Sequence, residues 1–419
     1  MPAPRHNGLA LVNPPRRILI ITNGHLCRNP RPLKEAHTLG RAGYDVTVLA
    51  VRNHAASEII DRDLLQGAPF RHESVDMLPG FATSRVIVFL RRLLLWAARQ
   101  AAAKTGLETI RALGPAGALL RRARRLPADL TIVHNEVPHW VGTRLLGDGR
   151  RVAADFEDWH SEDLLPTQRA QRPLGLLRRV EQTLLTQAVH TTTTSYALAA
   201  ALYARYGGRL PAVITNSFPL QRDPRSGQSG DPPLFLWFSQ TLGPGRGLEI
   251  FLEAWARTTG SSRLVLLGEP CAGFAELVRN RLPLERRTRV SFLPLVPPAA
   301  LPAVIAGHDI GLALEQAEIP SRDLTITNKI LQYLNAGLAV VASDTAGQRE
   351  VLSRAPEAGL LVNLSDAVTT AAALDQLLGD REELLRRQHA ARRLAEEIYC
   401  WEQEAPRLLS LVAAALQTR

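Results

Sequence analysis

Apolar and polar positions alternate along the chain in blocks that predict strands and helices in turn. Residues 17–22 read RILIIT, an apolar run typical of a strand covered on both faces. A polar loop with Gly24, a helical segment that stops at Gly43, and a second apolar run at 44–51 follow. A strand, a short glycine-containing loop, a helix and another buried strand are the opening of a doubly wound parallel sheet.

The same alternation continues through the chain and then restarts. In the first half it predicts strands at 130–134, 151–156 and 189–195 and helices at 85–104, 107–125 and 174–188. In the second half it predicts strands at 234–239, 263–268, 289–294, 309–314 and 338–343 and helices at 247–256, 273–281, 328–336, 366–397 and 401–418. The predicted fold class is α/β, with two facing Rossmann-like domains and doubly wound parallel sheets.

A proline-rich segment separates the two halves. Residues 216–233 hold four prolines, together with glycine and serine, as linkers do. We predict a first domain at 1–216, a linker at 217–233, a second domain at 234–398 and a helix at 399–419 that returns to brace the first domain. A ligand is expected in the cleft at the C-terminal ends of the strands.

Composition narrows the class of protein. A length of 419 residues favours two domains, and 46% apolar with 21% charged residues is typical of a globular chain. No apolar run reaches the roughly 18 residues that a membrane span needs, and the first 22 residues lack the apolar core of a secretory signal. Cys27, Cys271 and Cys400 form no CxxC pair. We therefore expect a cytoplasmic protein without a disulfide framework or a thiolate metal site.

Positive charge is concentrated in one segment. The formal net charge is +10, and residues 85–125 contain ten basic residues against one acid, Glu108. Apolar residues such as Phe89 and Trp96 are interleaved with the arginines, so we predict an amphipathic surface that lies on an anionic membrane. The alternative is a pair of core helices with solvated arginines. Nucleic acid is not expected as a partner, because no binding motif accompanies the charge.

The stretch TNKILQYLNAG at 327–337 predicts an anion site. Asn328 and Lys329 open a helix whose free N–H groups and positive dipole end favour a phosphate. Lys329 is one of three lysines among 50 basic residues, so its place at a helix start is stronger evidence for a phosphate contact than an arginine there would be. Gln332 lies three residues further along the helix, and Glu350 follows the glycine of the next loop.

A second candidate stretch surrounds Arg246. The strand predicted at 234–239 runs into a loop with Gly243, Gly245 and Gly247, and a helix follows. The backbone of such a loop can approach a diphosphate closely, and the guanidinium can bind it through paired, charge-assisted hydrogen bonds.

Both stretches resemble the C-terminal domain of GT-B glycosyltransferases, specifically the large retaining family 4. That family has a glycine–arginine pair after the first strand of the domain, then lysine–glycine at the helix start, and later N-K-aliphatic-x-E-Y-x-x-x-G before an apolar strand. HDIGLAL at 308–314 is similar to the strand before the donor site. The segments 131–142 and 154–163 look like the acceptor-side strand ends of the first domain, so the resemblance covers nearly the whole chain.

This sequence departs from the family pattern at the donor side. Gln240, next to Ser239, stands in place of the arginine of the first pair, and Arg246 replaces the lysine of the second. Gln332 replaces the glutamate that in the family typically holds the nucleotide ribose, and Leu324 stands where many members have a partner glutamate. The neutral amide can still hydrogen-bond a ribose hydroxyl, although more weakly than a carboxylate.

The resemblance also implies residues of the first domain. His134 ends a predicted strand at the cleft edge, where the family has a histidine that touches the transferred sugar. Asp158 and His160, after the strand at 151–156, are the preferred acceptor-side pair. Gly24 and Arg31, which follow the first strand, complete the acceptor side.

Other acidic residues are weaker candidates. Glu315 and Glu318 follow the strand at 309–314 and could supply the carboxylate that Gln332 lacks. Asp61 and Asp63 form a DxD, the metal-binding signal of the other glycosyltransferase fold, but the loop around them lacks that fold's context. We expect no metal and no cofactor apart from a nucleotide-diphosphate sugar as co-substrate.

The resemblance thus implies a retaining hexosyltransferase that moves a sugar from a nucleotide-diphosphate sugar to a glycan or lipid-linked acceptor, and we expect a role in cell-envelope or exopolysaccharide synthesis. Arg246 and Lys329 would stabilise the departing diphosphate, with His134 beside the sugar. The expected donor-binding residues are Ser239, Gln240, Gly245, Asn328, Gln332 and Glu350. The expected location is the cytoplasm, peripheral to the inner face of the plasma membrane. The alternatives are a nucleotide-sugar epimerase and a catalytically inactive sugar-nucleotide-binding protein.

Overall fold

A computed structural model describes residues 14–169, 171–222, 224 and 231–417. The strands of the first sheet are β1 (Arg17–Ile21), β2 (Asp45–Arg52), β3 (Arg71–Asp76), β4 (Leu130–His134), β5 (Val152–Phe156), β6 (Thr191–Thr193) and β7 (Ala212–Val213). The helices around it are α1 (Pro30–Arg41), α2 (Ala55–Leu64), α3 (Arg85–Thr105), α4 (Ala116–Arg125), α5 (Glu136–Gly147), α6 (Pro166–Arg169), α7 (Leu174–Gln187) and α8 (Tyr196–Tyr206).

The second half of the chain repeats this construction. Its strands are β8 (Leu234–Leu242), β9 (Arg263–Pro270), β10 (Val290–Leu293), β11 (Ile310–Ala313), β12 (Ala339–Ser343) and β13 (Gly359–Val362). Its helices are α9 (Leu248–Arg257), α10 (Phe274–Asn280), α11 (Leu284–Arg287), α12 (Leu301–Ala306), α13 (Pro320–Leu324), α14 (Asn328–Ala336), α15 (Ala346–Leu352), α16 (Ala367–Gly379), α17 (Arg381–Glu397) and α18 (Trp401–Gln417).

Both sheets are parallel and doubly wound, which confirms the predicted fold class. The strand order is β3-β2-β1-β4-β5-β6-β7 in the first sheet and β10-β9-β8-β11-β12-β13 in the second. In each sheet the chain moves from the centre to one edge and then returns to build the other side. The order therefore reverses between β1 and β4 and between β8 and β11, and ligands bind at the strand ends beside such reversals.

Continuous apolar runs form the centre of both sheets. In β8, the side chains of Phe235, Leu236 and Trp237 are fully buried, because helices cover both faces of the strand. The outer strand β3, which reads RHESVD, has no such run and was not predicted from the sequence.

Two predicted helices differ from the observed ones. The predicted helix 107–125 is wrong in its first half, where a short 3₁₀ turn at Ile110–Ala112 precedes α4. Pro115 stands at the N-cap of α4, since a proline lacks the N–H that an interior helical position requires. The predicted helix 366–397 is two helices, and Asp380 accepts a hydrogen bond from the backbone N–H of Glu383 to begin α17.

The chain passes from one domain to the other twice, and the two crossing segments lie side by side. Phe218 of the first crossing forms a β-bridge with Cys400 of the second. After it, α18 packs against β1 and α1, and the indole N–H of Trp401 donates to Thr38 Oγ1 at 2.8 Å. Residues 223 and 225–230 of the predicted linker, residues 1–13 of the predicted first domain and residues 418–419 lie outside the described part of the chain. Within the described ranges, no helix combines the length and the apolar character that a membrane crossing requires.

Candidate active site

Two adjoining cavities lie in the cleft between the domains. The larger, of about 540 Å³, is lined by Cys27, Arg28 and Pro30 of the first domain, by the crossing segment and by the second domain. The smaller, of about 280 Å³, lies between acidic residues of the first domain and the end of β11 with α13 and α14. Asn328 and Lys329 line both cavities, so the first turn of α14 separates them.

The N-terminus of α14 is open to an anion. Thr327 stands at the N-cap in an extended conformation, but its side chain makes no capping hydrogen bond. The first backbone N–H groups of the helix therefore keep their hydrogen-bonding capacity, and the helix dipole adds partial positive charge at this end. Backbone and Lys329 together favour a phosphate at the junction of the cavities.

A bulge at the end of β8 turns two candidate residues into the larger cavity. The register between β8 and β9 shifts between Phe238 and Thr241, which leaves Ser239 and Gln240 outside the regular pairing. The close approach of β9 at this point requires glycine, since a Cβ on Gly268 would lie 2.1 Å from the Ser239 carbonyl oxygen.

The two candidate cations have partners within the cleft. Lys329 Nζ lies 2.8 Å from Glu315 Oε1, at the foot of the smaller cavity. Arg246 Nη1 donates to Ser239 Oγ at 3.3 Å and lines the same cavity. The loop that carries Arg246 is held by a hydrogen bond of 2.7 Å from the Gly245 N–H to Glu249. Both positive charges are thus positioned before any ligand enters.

The larger cavity combines an apolar wall with a few polar groups. Most of the apolar side chains come from β9 and from the segment before and within α12, among them Leu267, Leu295, Val296, Pro298, Leu301 and Ile305. Gln332 faces this wall, and its Oε1 is buried without a hydrogen-bond partner among the described residues. A flat aromatic ring system fits such a wall, and the free amide oxygen can accept from a hydroxyl.

The smaller cavity is acidic on the side of the first domain. Glu157, Asp158 and Asp163 face Arg246 and Arg322 across it. Desolvation in the cleft, and after it the charge of Glu157, raise the pKa of Asp158 well above its usual range. Desolvation also raises the pKa of Glu157. Carboxyl oxygens at this place can accept hydrogen bonds from the hydroxyls of a sugar.

His134, predicted beside the sugar, and Arg31, predicted on the acceptor side, are buried and line neither cavity. His134 is 1% exposed, and its Nε2 lies 3.1 Å from Glu35 Oε2. Arg31 is fully buried and donates to Asp155 Oδ2 through Nε and Nη2, at 2.9 and 2.6 Å. Burial opposes protonation of His134, but Glu35 and Asp155 raise its pKa. These residues form an ion cluster beneath the strand ends, because a buried carboxylate must be paired.

Glu35, His134 and Asp155 are close enough to hold a metal ion, with ligand atoms within 4.8 Å of one another. The guanidinium of Arg31 already contacts both carboxylates, at 3.5 Å for Glu35 and 2.6 Å for Asp155. A divalent cation beside this buried positive charge would be repelled. We therefore interpret the group as an internal salt bridge network.

Four other predicted residues lie outside the two cavities. Glu350 accepts hydrogen bonds of 3.1 Å from the backbone N–H groups of Tyr196 and Ala197, so it joins α15 to the start of α8 in the other domain. His160 is buried beside Glu136, 3.6 Å away. Gly24 is buried in the loop after β1, with φ +101°, and Gly245 contributes backbone contacts only.

The DxD residue Asp61 has a structural role. Its carboxylate accepts from His25 Nδ1 at 2.8 Å and from the Cys27 backbone N–H at 2.7 Å. These hydrogen bonds outweigh desolvation and lower the pKa of Asp61. Asp61 thus fixes a 3₁₀ turn at Leu26–Arg28, which carries Cys27 and Arg28 to the wall of the larger cavity.

Some cavity residues were not singled out as donor or acceptor residues from the sequence. Arg322 and Asp163 meet across the smaller cavity at 3.8 Å, and Thr194 and Asn216 complete its rim. The density of polar residues at 157–163 could have pointed to Asp163. No feature of the sequence distinguishes Arg322 from the many other arginines of the chain.

Comparison with known proteins agrees with this architecture. Residues 232–380 match the family model described as Glycosyl transferases group 1. A sucrose-phosphate synthase from Thermosynechococcus elongatus has a similar structure, with a TM-score of 0.67 and 17% identity over 95% of this chain and 98% of that chain. HepE of Anabaena, in complex with UDP, gives a TM-score of 0.65 and 16% identity over 95% of this chain and 100% of its own. TarM of S. aureus gives 0.67 and 8% identity over 96% and 100%. No curated protein matches the sequence.

Two facing Rossmann-like domains with a ligand cleft between them define the GT-B class, and these structural neighbours share that fold. This chain has that fold, and the match of residues 232–380 to the glycosyl transferases group 1 model supports a glycosyltransferase, as the sequence motifs predicted.

Proposed function

We propose that the protein transfers a hexose, with retention of anomeric configuration, from a nucleoside diphosphate sugar to a glycan or lipid-linked acceptor. The observation that carries the proposal is the uncapped N-terminus of α14 with Lys329, which stands between an apolar and an acidic cavity. These three surfaces match the three chemical parts of such a donor. The base and ribose are apolar and hydroxylated, the diphosphate is anionic, and the sugar is rich in hydroxyls.

The proposed pose follows from this match. The nucleobase lies on the apolar wall of the larger cavity, and the free Oε1 of Gln332 accepts from a ribose hydroxyl. The diphosphate binds to the backbone of Asn328 and to Lys329. The sugar then enters the smaller cavity, where Asp158 and Glu315 are within its walls.

Catalysis in this pose is electrostatic. As the bond between the sugar and the diphosphate breaks, negative charge develops on the diphosphate and positive charge on the sugar. Lys329 and Arg246 stabilise the leaving group from positions fixed in advance, and removal of one such contact costs about 10²–10³ in rate. Metal independence is part of the proposal, since these two cations supply the charge that a metal supplies elsewhere.

A donor screen tests the proposal. UDP-glucose is the first donor to examine, because HepE has been crystallised with it; GDP- and ADP-sugars follow, with thermal shift as the binding readout and nucleotide release as the readout of turnover. Binding with acceptor-dependent turnover and a product of retained configuration supports the proposal. An epimerised donor formed without acceptor indicates an epimerase, and binding without any turnover indicates an inactive binding protein.

We also propose that the enzyme works at the inner face of the plasma membrane, on an acceptor of the cell envelope or an exopolysaccharide. The support is α3, a 21-residue helix in which Val88 is the one buried residue, while Phe89, Leu94 and Trp96 are 64%, 60% and 59% exposed. Arginines flank this apolar face, which complements an anionic lipid surface. Sedimentation with anionic and neutral vesicles tests this part.

A further inference from the structure

A third pocket lies at the outer edge of the first domain, away from the two cavities of the cleft. Its volume is about 510 Å³, within the range of roughly 300–1,000 Å³ that is usual for small-ligand sites. The walls are the outer strand β3, the end of β2, the loop before α3, and one face each of α3 and α4. β2 and β3 end here at Arg52 and Asp76, so the pocket lies beside the C-terminal ends of the outer strands.

The pocket has an excess of positive charge. Five arginines and two acids line it. Both acids already have cationic partners, since Arg52 pairs with Asp76 and Arg122 pairs with Glu73. The remaining three arginines, Arg91, Arg121 and Arg125, face the pocket without a carboxylate partner among the described residues.

These three guanidiniums are arranged around one space. Arg121 and Arg125 are four residues apart on α4 and therefore share a face of the helix. Arg91 approaches from α3, where its Nη1 donates to the Asp76 carbonyl at 2.8 Å and its Nε is buried without a hydrogen-bond partner. Desolvation and the nearby charge of Arg121 lower the pKa of Arg91 against the attraction of Asp76, as expected for like charges that converge without a counterion.

We propose that this pocket binds a phosphate or diphosphate group through Arg91, Arg121 and Arg125. A guanidinium binds phosphate through two parallel hydrogen bonds, and three of them can satisfy the several oxygens of a phosphate ester. An anion here also relieves the mutual repulsion of the arginines. One part of this proposal rests on the proposed function. In that function the first domain binds the acceptor, so we assign the phosphate to the acceptor.

Two sources of this chemistry are possible, a soluble phosphate ester and a lipid headgroup. The position of the pocket beside α3, whose apolar face is exposed, makes both accessible. Glycerol 1-phosphate is the probe for the soluble source. Vesicles of phosphatidic acid in phosphatidylcholine are the probe for the lipid source.

The experiment uses the full chain carrying Arg246→Ala and Lys329→Ala, which removes both cations of the proposed donor site. The remaining backbone contact at α14 is the same in every variant compared, so a difference between the variants is independent of the donor assignment. This protein is titrated with glycerol 1-phosphate in a calorimeter, and the titration is repeated on a variant that also carries Arg121→Gln and Arg125→Gln. The matched control is Arg111→Gln with Arg124→Gln, which removes two charges from the same segment; Arg124 pairs instead with Asp148. We expect the first pair to weaken binding by at least about tenfold and the control pair by less than about twofold.

The vesicle arm separates the sources. Soluble binding that depends on Arg121 and Arg125 supports the proposal and identifies a soluble ester as sufficient. Binding to phosphatidic acid vesicles alone, with the same dependence, supports it and identifies the headgroup. Absence of binding in both arms, or an equal loss in the control pair, overturns it, because the charge would then act only as a diffuse surface field.

Discussion

Lys329 Nζ lies 2.8 Å from Glu315 Oε1, so the cation at the start of α14 is held by a carboxylate at the end of β11. The two side chains are 12% and 8% exposed, which limits the conformations open to either. The ammonium is thus ordered before any ligand arrives, and in the proposed pose it does not have to be ordered at the moment of reaction. Such preorganisation is what makes fixed charges effective in catalysis.

The first prediction concerns the two cations. Lys329→Ala and Arg246→Ala should each lower kcat/KM for the verified donor by about 10²–10³, since each removes one contact to the leaving diphosphate. Steady-state kinetics with the donor and acceptor measure this. Lys104→Ala is the matched control, because Lys104 is exposed at the end of α3. Wild-type kinetics in both cleft variants would refute the diphosphate assignment.

The second prediction concerns Glu315. Glu315→Gln removes a negative charge next to the phosphate site and frees Lys329, so UDP without a sugar should bind more tightly, by up to about tenfold. Calorimetric titration of UDP measures the effect, and Glu318→Gln is the control, since Glu318 is exposed and lines neither cavity. Unchanged or weaker affinity in Glu315→Gln would show that the carboxylate does not compete with phosphate for Lys329.

Three residues that line the cavities could be predicted from local patterns in the sequence. Lys329, Arg246 and Gln332 could be located because helix starts, glycine loops and apolar strands have local signatures. Their positions at the cleft follow from the reversal of strand order beside β8.

Other placements in the site could not be derived from the sequence. Whether a residue at a strand end faces the cleft or the interior depends on packing from elements far away in sequence, and His134 is enclosed by Glu35 of α1. Glu350 contacts Tyr196 only because the two domains pack together. These two residues are 154 positions apart in the sequence. The apolar wall at Leu295 and Val296 lies in an irregular segment with no periodicity to read.

The third prediction is metal independence. Activity with a verified donor should persist in excess chelator, because in the proposed pose Lys329 and Arg246 neutralise the departing diphosphate. The assay compares chelator-treated enzyme before and after addition of Mg²⁺ or Mn²⁺. Loss of activity that either ion restores would contradict the prediction and would require acidic residues of the smaller cavity, such as Asp158 and Asp163, to be tested as ligands.

The fourth prediction is a pH dependence of stability due to Lys34. Its Nζ is buried near the first domain crossing and donates to the Asn216 carbonyl at 3.0 Å and to Asn216 Oδ1 at 2.8 Å. Desolvation, and after it the charge of Arg31, lower the pKa of Lys34 from 10.5 to about 7. Between these two values the unfolded chain binds a proton that the folded chain lacks, so the free energy of unfolding should rise with pH by up to about 1.4 kcal/mol per unit. Below pH 7 both states are protonated and this contribution is constant.

Urea unfolding at pH 7, 8 and 9 measures this dependence. Lys34→Met should flatten the slope relative to the wild type even if its absolute stability is lower, whereas Lys104→Met should not. Equal slopes in the wild type and Lys34→Met would show that Lys34 stays protonated throughout the range.

The fifth prediction is that the exposed face of α3 inserts into anionic membranes. Phe89→Ser with Trp96→Ser removes two large apolar side chains, each worth about 1.5–3 kcal/mol when buried. Partitioning onto phosphatidylglycerol vesicles should therefore fall by at least about tenfold, while binding of UDP is unchanged because the cleft is distant in the fold. Leu284→Ser with Val368→Ser is the control, since these residues are 75% and 70% exposed on the second domain.

Salt and oligomeric state complete this test. Attraction between arginines and anionic headgroups is screened by salt, so wild-type protein should leave the vesicles as ionic strength rises and should ignore neutral vesicles. If wild type fails to bind anionic vesicles at low salt, the face does not contact a membrane. A change from dimer to monomer in Phe89→Ser with Trp96→Ser, without any vesicle binding by the wild type, would instead assign the exposed face of α3 to a contact between two copies of the chain.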